Sequence, residues 1–142
     1  MSTTPDSAAL IRRLAGRDRF VASLGIEIIE AGPGTSHLAC PVAEHHINFN
    51  GTCHGGVIFT LADTAFGLAA NSRGPVAIGI DTHLTFARPV RAGDRLAARA
   101  VEVTRSRRLG TYRVDVTRGD GMQVAAFTGT VLLTGEDHPA ED

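Results

Sequence analysis

Asn48, Gly55 and Asp63 carry the chemistry that stands out in this chain. They lie in and just beyond the run Asn48-Phe49-Asn50-Gly51-Thr52-Cys53-His54-Gly55-Gly56, which leads into a nearly all-apolar stretch. Gly55 and Gly56 fall where a helix would begin, so their backbone N–H groups have no partner in a preceding turn and the positive end of the helix dipole lies behind them. That arrangement stabilises negative charge on oxygen, such as the oxyanion of an attacked carbonyl. Two residues without side chains also let a ligand approach the backbone closely. The alternative is a tight turn that only caps a buried helix.

Asp63 sits in the middle of Val57-Ile58-Phe59-Thr60-Leu61-Ala62-Asp63-Thr64-Ala65-Phe66-Gly67-Leu68-Ala69-Ala70. A carboxylate among so many apolar residues is costly unless paired or used. It can serve as general base or nucleophile, or it can be held by an arginine or a threonine hydroxyl of the fold. Gly55 and Asp63 are about 12 Å apart along a helix rising about 1.5 Å per residue. One carbonyl cannot touch both within a single chain, because each contact needs about 3 Å. If both serve one reaction, a second copy supplies one of them, its helix antiparallel to the first across a two-fold axis.

Around these residues the pattern reads as helix, hairpin, loop, buried helix and four strands. A first helix capped by Asp6 or Ser7 carries Leu10, Ile11 and Leu14, with Phe20 nearby. Strands are expected over Gly25–Ala31 and Thr35–Val42, turned by Gly32-Pro33-Gly34. The buried helix spans His54–Asn71 and is stopped by Gly74-Pro75. Strands over Val76–Phe86, Asp94–Thr104, Thr111–Thr117 and Val124–Thr134 follow, with short links that indicate an antiparallel meander. The fold class is therefore α+β, about six antiparallel strands wrapped round a central helix. One such sheet cannot cover the helix completely, so a second copy is expected on its open face. The segments are an N-terminal helical piece over 1–19, one domain over 20–134 and an acidic, disordered tail over 135–142.

Length and charge narrow the function. The 142 residues suit one domain with its own core. Fourteen arginines against 15 acids leave a net charge of -1, which argues against a nucleic-acid binder. No lysine occurs, which codon bias can explain. Cys40 and Cys53 do not make a disulfide framework, and no apolar run has the length and purity of a membrane span, so a soluble cytoplasmic protein is expected. The near-zero total conceals a local excess. Between Phe86 and Arg118 there are nine arginines against Asp94, Glu102 and Asp115. Arg88, Arg105, Arg107 and Arg108 fall in turns and suit phosphate groups, although strand edges also use arginine to discourage pairing.

His54-Gly55-Gly56, Leu61-Ala62-Asp63-Thr64-Ala65, Gly67 and Ala69-Ala70 together resemble the hotdog-fold acyl-CoA thioesterases. The likeness is to the PaaI-type branch of phenylacetic acid degradation, with the 4-hydroxybenzoyl-CoA thioesterases as relatives. It covers roughly residues 20–133, and Arg88-Pro89 followed by Gly93-Asp94 also fits. The resemblance implies a catalytic Asp63 and a Gly55 N–H that polarises the thioester carbonyl from the partner subunit. It implies His54 beside that carbonyl and Asn48 holding water or substrate. Gly56 and Thr64 would touch substrate, and Arg88, Arg107 and Arg108 the nucleotide phosphates. The implied substrate is a small or aromatic acyl-CoA of phenylacetyl or hydroxyphenylacetyl type, hydrolysed by a homodimer with shared sites that pairs into a homotetramer. No metal or other cofactor is implied.

Two other readings use the same fold. A non-catalytic acyl-CoA-binding or sensor protein gains nothing from a buried acid. A dehydratase needs a His-Glu or Asp-His pair; Asp81 and His83 share one face of a strand, but their flanking residues do not match. His45, His46 and His54 lack the companion ligands of a metal site and read as a polar loop. Cys53, with no base arranged for it, reads as a small apolar residue.

Overall fold

The computed structural model describes residues 6–140. Asp6 caps the first helix, α1 (Ser7–Gly16), by accepting from the Ala9 N–H at 3.2 Å, and Leu10 and Ile11 turn inward. The helical segment does not end near residue 19. Asp18 accepts from the Val21 N–H at 3.1 Å and starts a second short helix, α2 (Arg19–Leu24), which Gly25 closes at φ +74°. Residues 1–5 and 141–142, at the outer ends of the two expected terminal segments, lie outside the described residues.

A hairpin of β1 (Glu27–Gly32) and β2 (Thr35–Pro41) turns through Gly34 at φ +73°. A single 3-10 turn (Glu44–His46) and a loop lead into α3 (Gly55–Asn71). Then come β3 (Pro75–Phe86), β4 (Arg95–Arg105), β5 (Leu109–Thr117) and β6 (Gln123–Asp137). The strands form one antiparallel sheet in the order β1-β2-β4-β5-β6-β3. The expected four-strand meander is thus corrected: only β4, β5 and β6 are successive neighbours. β3 lies beyond β6, and β2 takes the place beside β4. Residues 87–94 cross the molecule instead of turning back as a hairpin, because Val90 is buried in the core and its carbonyl accepts from the Cys53 N–H at 2.7 Å.

Helix α3 lies across the concave face of the sheet. Leu61, Ala62, Ala65, Ala69 and Ala70 are fully buried, and the alanines let the strands come close. Phe66 fills the middle, its ring 5.4 Å from Phe127 and 5.9 Å from Tyr112. Gly129 makes room for it: a Cβ there would lie 2.7 Å from the Phe66 ring. Gly129→Ala is therefore expected to lower stability by about 1–3 kcal/mol, since neither buried ring can move aside. A denaturation midpoint equal to wild type would show that the ring is not so confined. At the far end of α3, Ser72 Oγ donates to the Ala69 carbonyl at 2.7 Å and accepts from the Gly34 N–H at 2.8 Å, pinning the helix to the hairpin.

One stripe of α3 stays open. Gly56 and Asp63 are exposed, and Phe59, Thr60, Gly67 and Asn71 half-buried, at the spacing of a single helix face. Edge strand β3 is uncovered as well; residues 78–83 are all exposed, with Ile80 at 56%. β6 runs past its expected end to Asp137, and residues 138–140 pack back on the domain where a disordered tail was expected. The Arg13 guanidinium donates to the carbonyls of Pro139 and Ala140. Among the described residues no helix is long and apolar enough to cross a membrane.

Candidate active site

The loop before α3 is built by its own side chains. Asn48 Oδ1 accepts from the N–H groups of Asn50 at 2.9 Å and Thr52 at 3.2 Å, closing a turn around Gly51 at φ +79°. Its acceptor is therefore used within the loop, and the Asn48 NH2 is the part left for a ligand. The His54 N–H donates to the His46 carbonyl at 2.7 Å. His46 is itself buried and accepts at Nδ1 from the Ala43 N–H at 3.1 Å, so it serves the loop.

His54 then caps α3. Its Nδ1 accepts from the Gly56 N–H at 2.8 Å. A neutral imidazole accepting at Nδ1 carries its proton on Nε2 and presents a donor there. This bond also corrects the expectation for the glycine pair: the Gly56 N–H is already taken. The Gly55 N–H has no hydrogen-bond partner among the described residues, so it is the free donor at the positive end of the helix.

Gly55, Asn48 and Arg88 line one cleft of about 380 Å³, walled by Ile58, Phe86 and Val90. Cys53 also lines it, but burial pushes its thiol up to about 11, which removes it as a nucleophile at neutral pH. Arg88 Nη1 donates to the Gln123 carbonyl at 2.6 Å and holds the β6 end beside this cleft.

Asp63 and Thr64 line a different cleft, of about 340 Å³, and the two clefts share no lining residue. The side chain of Asp63 has no hydrogen-bond or ion-pair partner among the described residues. None of the described arginines or threonines of its own chain holds it. Although one side remains open, the apolar walls desolvate the carboxylate, and the charge of Asp18 lies nearby. Both raise its pKa above the ordinary aspartate value. Asp18 was not singled out in the sequence; its place beside Asp63 depends on how α2 packs. Thr64 Oγ1 donates to the Thr60 carbonyl at 2.6 Å, leaving its methyl and oxygen at the cleft wall.

The arginines divide. Arg107 and Arg108 are exposed in the β4–β5 turn, and neighbouring Arg105 lies 3.9 Å from Glu102. Glu102 in turn pairs with Arg73 at 3.0 Å, just past the end of α3. That turn is therefore at the opposite end of the helix from Arg88, about 25 Å away for 17 residues. One chain does not bring Arg88, Arg107 and Arg108 together. Asp81 and His83 are both exposed on the β3 edge, away from either cleft.

Residues 50–125 match the model of the thioesterase superfamily. The acyl-coenzyme A thioesterase PaaI of Escherichia coli is 36% identical over 112 residues, covering 79% of this chain and 80% of that protein. The solved structure of E. coli PaaI superimposes with a TM-score of 0.87 over 89% of this chain and 91% of that one, at 32% identity. The TT0310 protein of Thermus thermophilus superimposes with a TM-score of 0.79 at 47% identity, covering 82% of this chain and 98% of that one. The smu.793 protein of Streptococcus mutans, solved with acetyl-CoA bound, gives a TM-score of 0.77 at 27% identity over 80% of this chain and 91% of that one.

Proposed function

This chain belongs to the thioesterase superfamily and has its hotdog fold, and we propose that it hydrolyses a small or aromatic acyl-CoA to the free acid and CoA. The observation that carries the reading is the unpaired Asp63, exposed on the open face of α3 but partly desolvated by the apolar residues beside it, because a protein that only binds acyl-CoA has no use for it. A phenylacetyl or hydroxyphenylacetyl group is the acyl type proposed, supported by the likeness to E. coli PaaI, a protein of the phenylacetic acid degradation operon.

The active unit is a homodimer with two shared sites. Its support is the open stripe of α3 and the bare edge of β3, which would otherwise expose a long row of unpaired backbone groups. Antiparallel packing of two α3 helices sets the Gly55 N–H of one copy against Asp63 of the other. Such packing also carries the Arg107–Arg108 turn of the second copy to the side of the dimer where Arg88 of the first lies. Those arginines then face the phosphates of one CoA. Exposed Val101, Val103, Leu109 and Leu132 on the outer sheet face support further pairing into a homotetramer. Two buried cysteines left as free thiols suit the reducing cytoplasm.

In the reaction, the thioester oxygen accepts from the Gly55 N–H, with His54 Nε2–H and the Asn48 NH2 as the neighbouring donors. Asp63 either takes a proton from water, whose oxygen then attacks the carbonyl carbon, or attacks that carbon itself. Collapse of the tetrahedral species breaks the C–S bond, and the leaving sulfur of CoA takes up a proton. If Asp63 attacks, water then opens the resulting mixed anhydride and releases the acid. Single turnover in labelled water separates the routes, because only attack by Asp63 places solvent oxygen first in the protein.

The function itself is tested by thiol release across a panel of acyl-CoAs. Turnover of an arylacetyl-CoA is the expected result; tight binding with no release would favour a binding protein instead. A second expectation concerns pH. The working form of Asp63 is ionised, so activity falls as pH drops through its raised pKa. Asp18→Asn keeps the cap of α2 while removing the like charge, and should move the acid limb of kcat/KM to lower pH. An unmoved limb would show that Asp18 does not act on the carboxylate.

A further inference from the structure

The cleft beside Asp63 runs two turns along α3, past Thr64, Gly67 and Leu68 to Asn71, where His138 lines it. A separate cleft of about 360 Å³ lies between α1 and the last described residues, with Leu10, Arg13, Gly74 and Pro139 in its walls. Among the described residues, His138 alone lines both clefts. It therefore stands as the partition between them.

That partition is held from several sides. The His138 N–H donates to the Gly74 carbonyl at 2.8 Å. The ring Nε2 lies 2.7 Å from Asn71 Oδ1, and since an amide oxygen only accepts, Nε2 donates to it. Asn71 is itself fixed: its Oδ1 accepts from the Ala77 N–H at 2.9 Å, and its NH2 donates to the Gly67 carbonyl at 2.8 Å. Just beyond the ring, the Arg13 guanidinium donates to the carbonyls of Pro139 and Ala140. The ring cannot swing aside without giving up the bond to Asn71, nor the segment without giving up those to Gly74 and Arg13.

We propose that His138 is the end wall of the acyl site and sets the longest acyl chain that the protein accepts. The inference rests on the thioesterase reading above, which places the thioester carbonyl at Asp63. The wall comes from the segment just past β6, beyond the residues that match the family model. Asp63 and Asn71, which the ring touches, are about 12 Å apart along α3. Contacts of about 3 Å at the carbonyl and about 4 Å at the wall leave roughly 5 Å, which an extended chain of about five or six carbons fills. Trimming His138 to a methyl group would join the two clefts. Leu10, Pro139 and Ala140 would then offer apolar surface to further methylenes, each worth up to about fourfold when buried.

The test is kcat/KM for hexanoyl-, octanoyl- and decanoyl-CoA beside phenylacetyl-CoA, in wild type, His138→Ala and His138→Leu. Wild type should fall about tenfold or more from hexanoyl to decanoyl. His138→Ala should raise the decanoyl value about tenfold while the phenylacetyl value stays within about twofold. His138→Leu keeps the bulk without the bond to Asn71 and should keep the wild-type length profile. A profile unchanged by His138→Ala overturns the proposal. Equal widening in His138→Leu also overturns it, because the cause would then be a loosened segment rather than the wall. If neither variant folds, wild type decides: decanoyl-CoA turned over as readily as hexanoyl-CoA overturns the wall. Each of these results leaves the thioesterase reading intact, whereas absence of thiol release from every substrate overturns both.

Discussion

Asp63→Asn should lower kcat about 10³-fold while CoA-ester binding persists, because the amide neither takes a proton from water nor attacks a carbonyl, yet keeps the shape of the side chain. Its effect on stability should have the opposite sign. The carboxyl has a raised pKa in the folded protein, so its protonated form is favoured there, and the stability it contributes is present at low pH and lost as pH rises through that pKa. At neutral pH the ionised group opposes folding. The variant should therefore melt higher than wild type at pH 7, and the gap should close as pH falls below about 3, where aspartate is protonated in both states. Loss of activity with a raised melting point marks a group retained for chemistry. Activity close to wild type, or a lower melting point at pH 7, would assign Asp63 to the fold.

Gly55→Pro should be the second large loss, about 10²- to 10³-fold in kcat, since it deletes the N–H at the start of α3 that has no partner among the described residues. Proline is tolerated at the first position of a helix, where the missing donor breaks no internal bond. His54 already has φ -58° and ψ 133°, the extended conformation that a following proline requires. An added Cβ would meet the tip of the Phe86 ring at 3.0 Å, and that side chain is 56% exposed and free to turn. The variant should thus keep its helix and its melting behaviour while losing turnover. Equal losses of stability and activity would instead mean that the loop had been displaced.

The strands and the central helix were legible because their signals are local. Apolar alternation along Leu96, Ala98 and Ala100, and along Tyr112, Val114 and Val116, marks strands with one buried face, as observed. Small and apolar residues on nearly every face of α3 mark a helix that must be covered. The order of the strands was not legible, because it depends on Val90 entering the core during the crossing from β3 to β4. Spacing alone showed that Gly55 and Asp63 of one chain are too far apart to touch one carbonyl, and the structure sets them in different clefts. It did not show that Gly56 surrenders its N–H to His54, since capping by a histidine ring depends on the backbone turn at that residue. Asp18 and His138 were missed for one reason: each reaches the Asp63 cleft through contacts distant in sequence, and an acidic C-terminal stretch resembles a solvated tail until Arg13 and Asn71 are seen to hold it.

The shared site is tested most directly by mixing the two dead variants. Asp63→Asn retains Gly55, and Gly55→Pro retains Asp63, so each mixed dimer rebuilds one intact site of its two. If the variants are refolded together in equal amounts, half of the dimers are mixed, and about one quarter of wild-type activity should return. Activity no higher than that of either variant alone, with mixed dimers demonstrated in the sample, would contradict a site built from two chains.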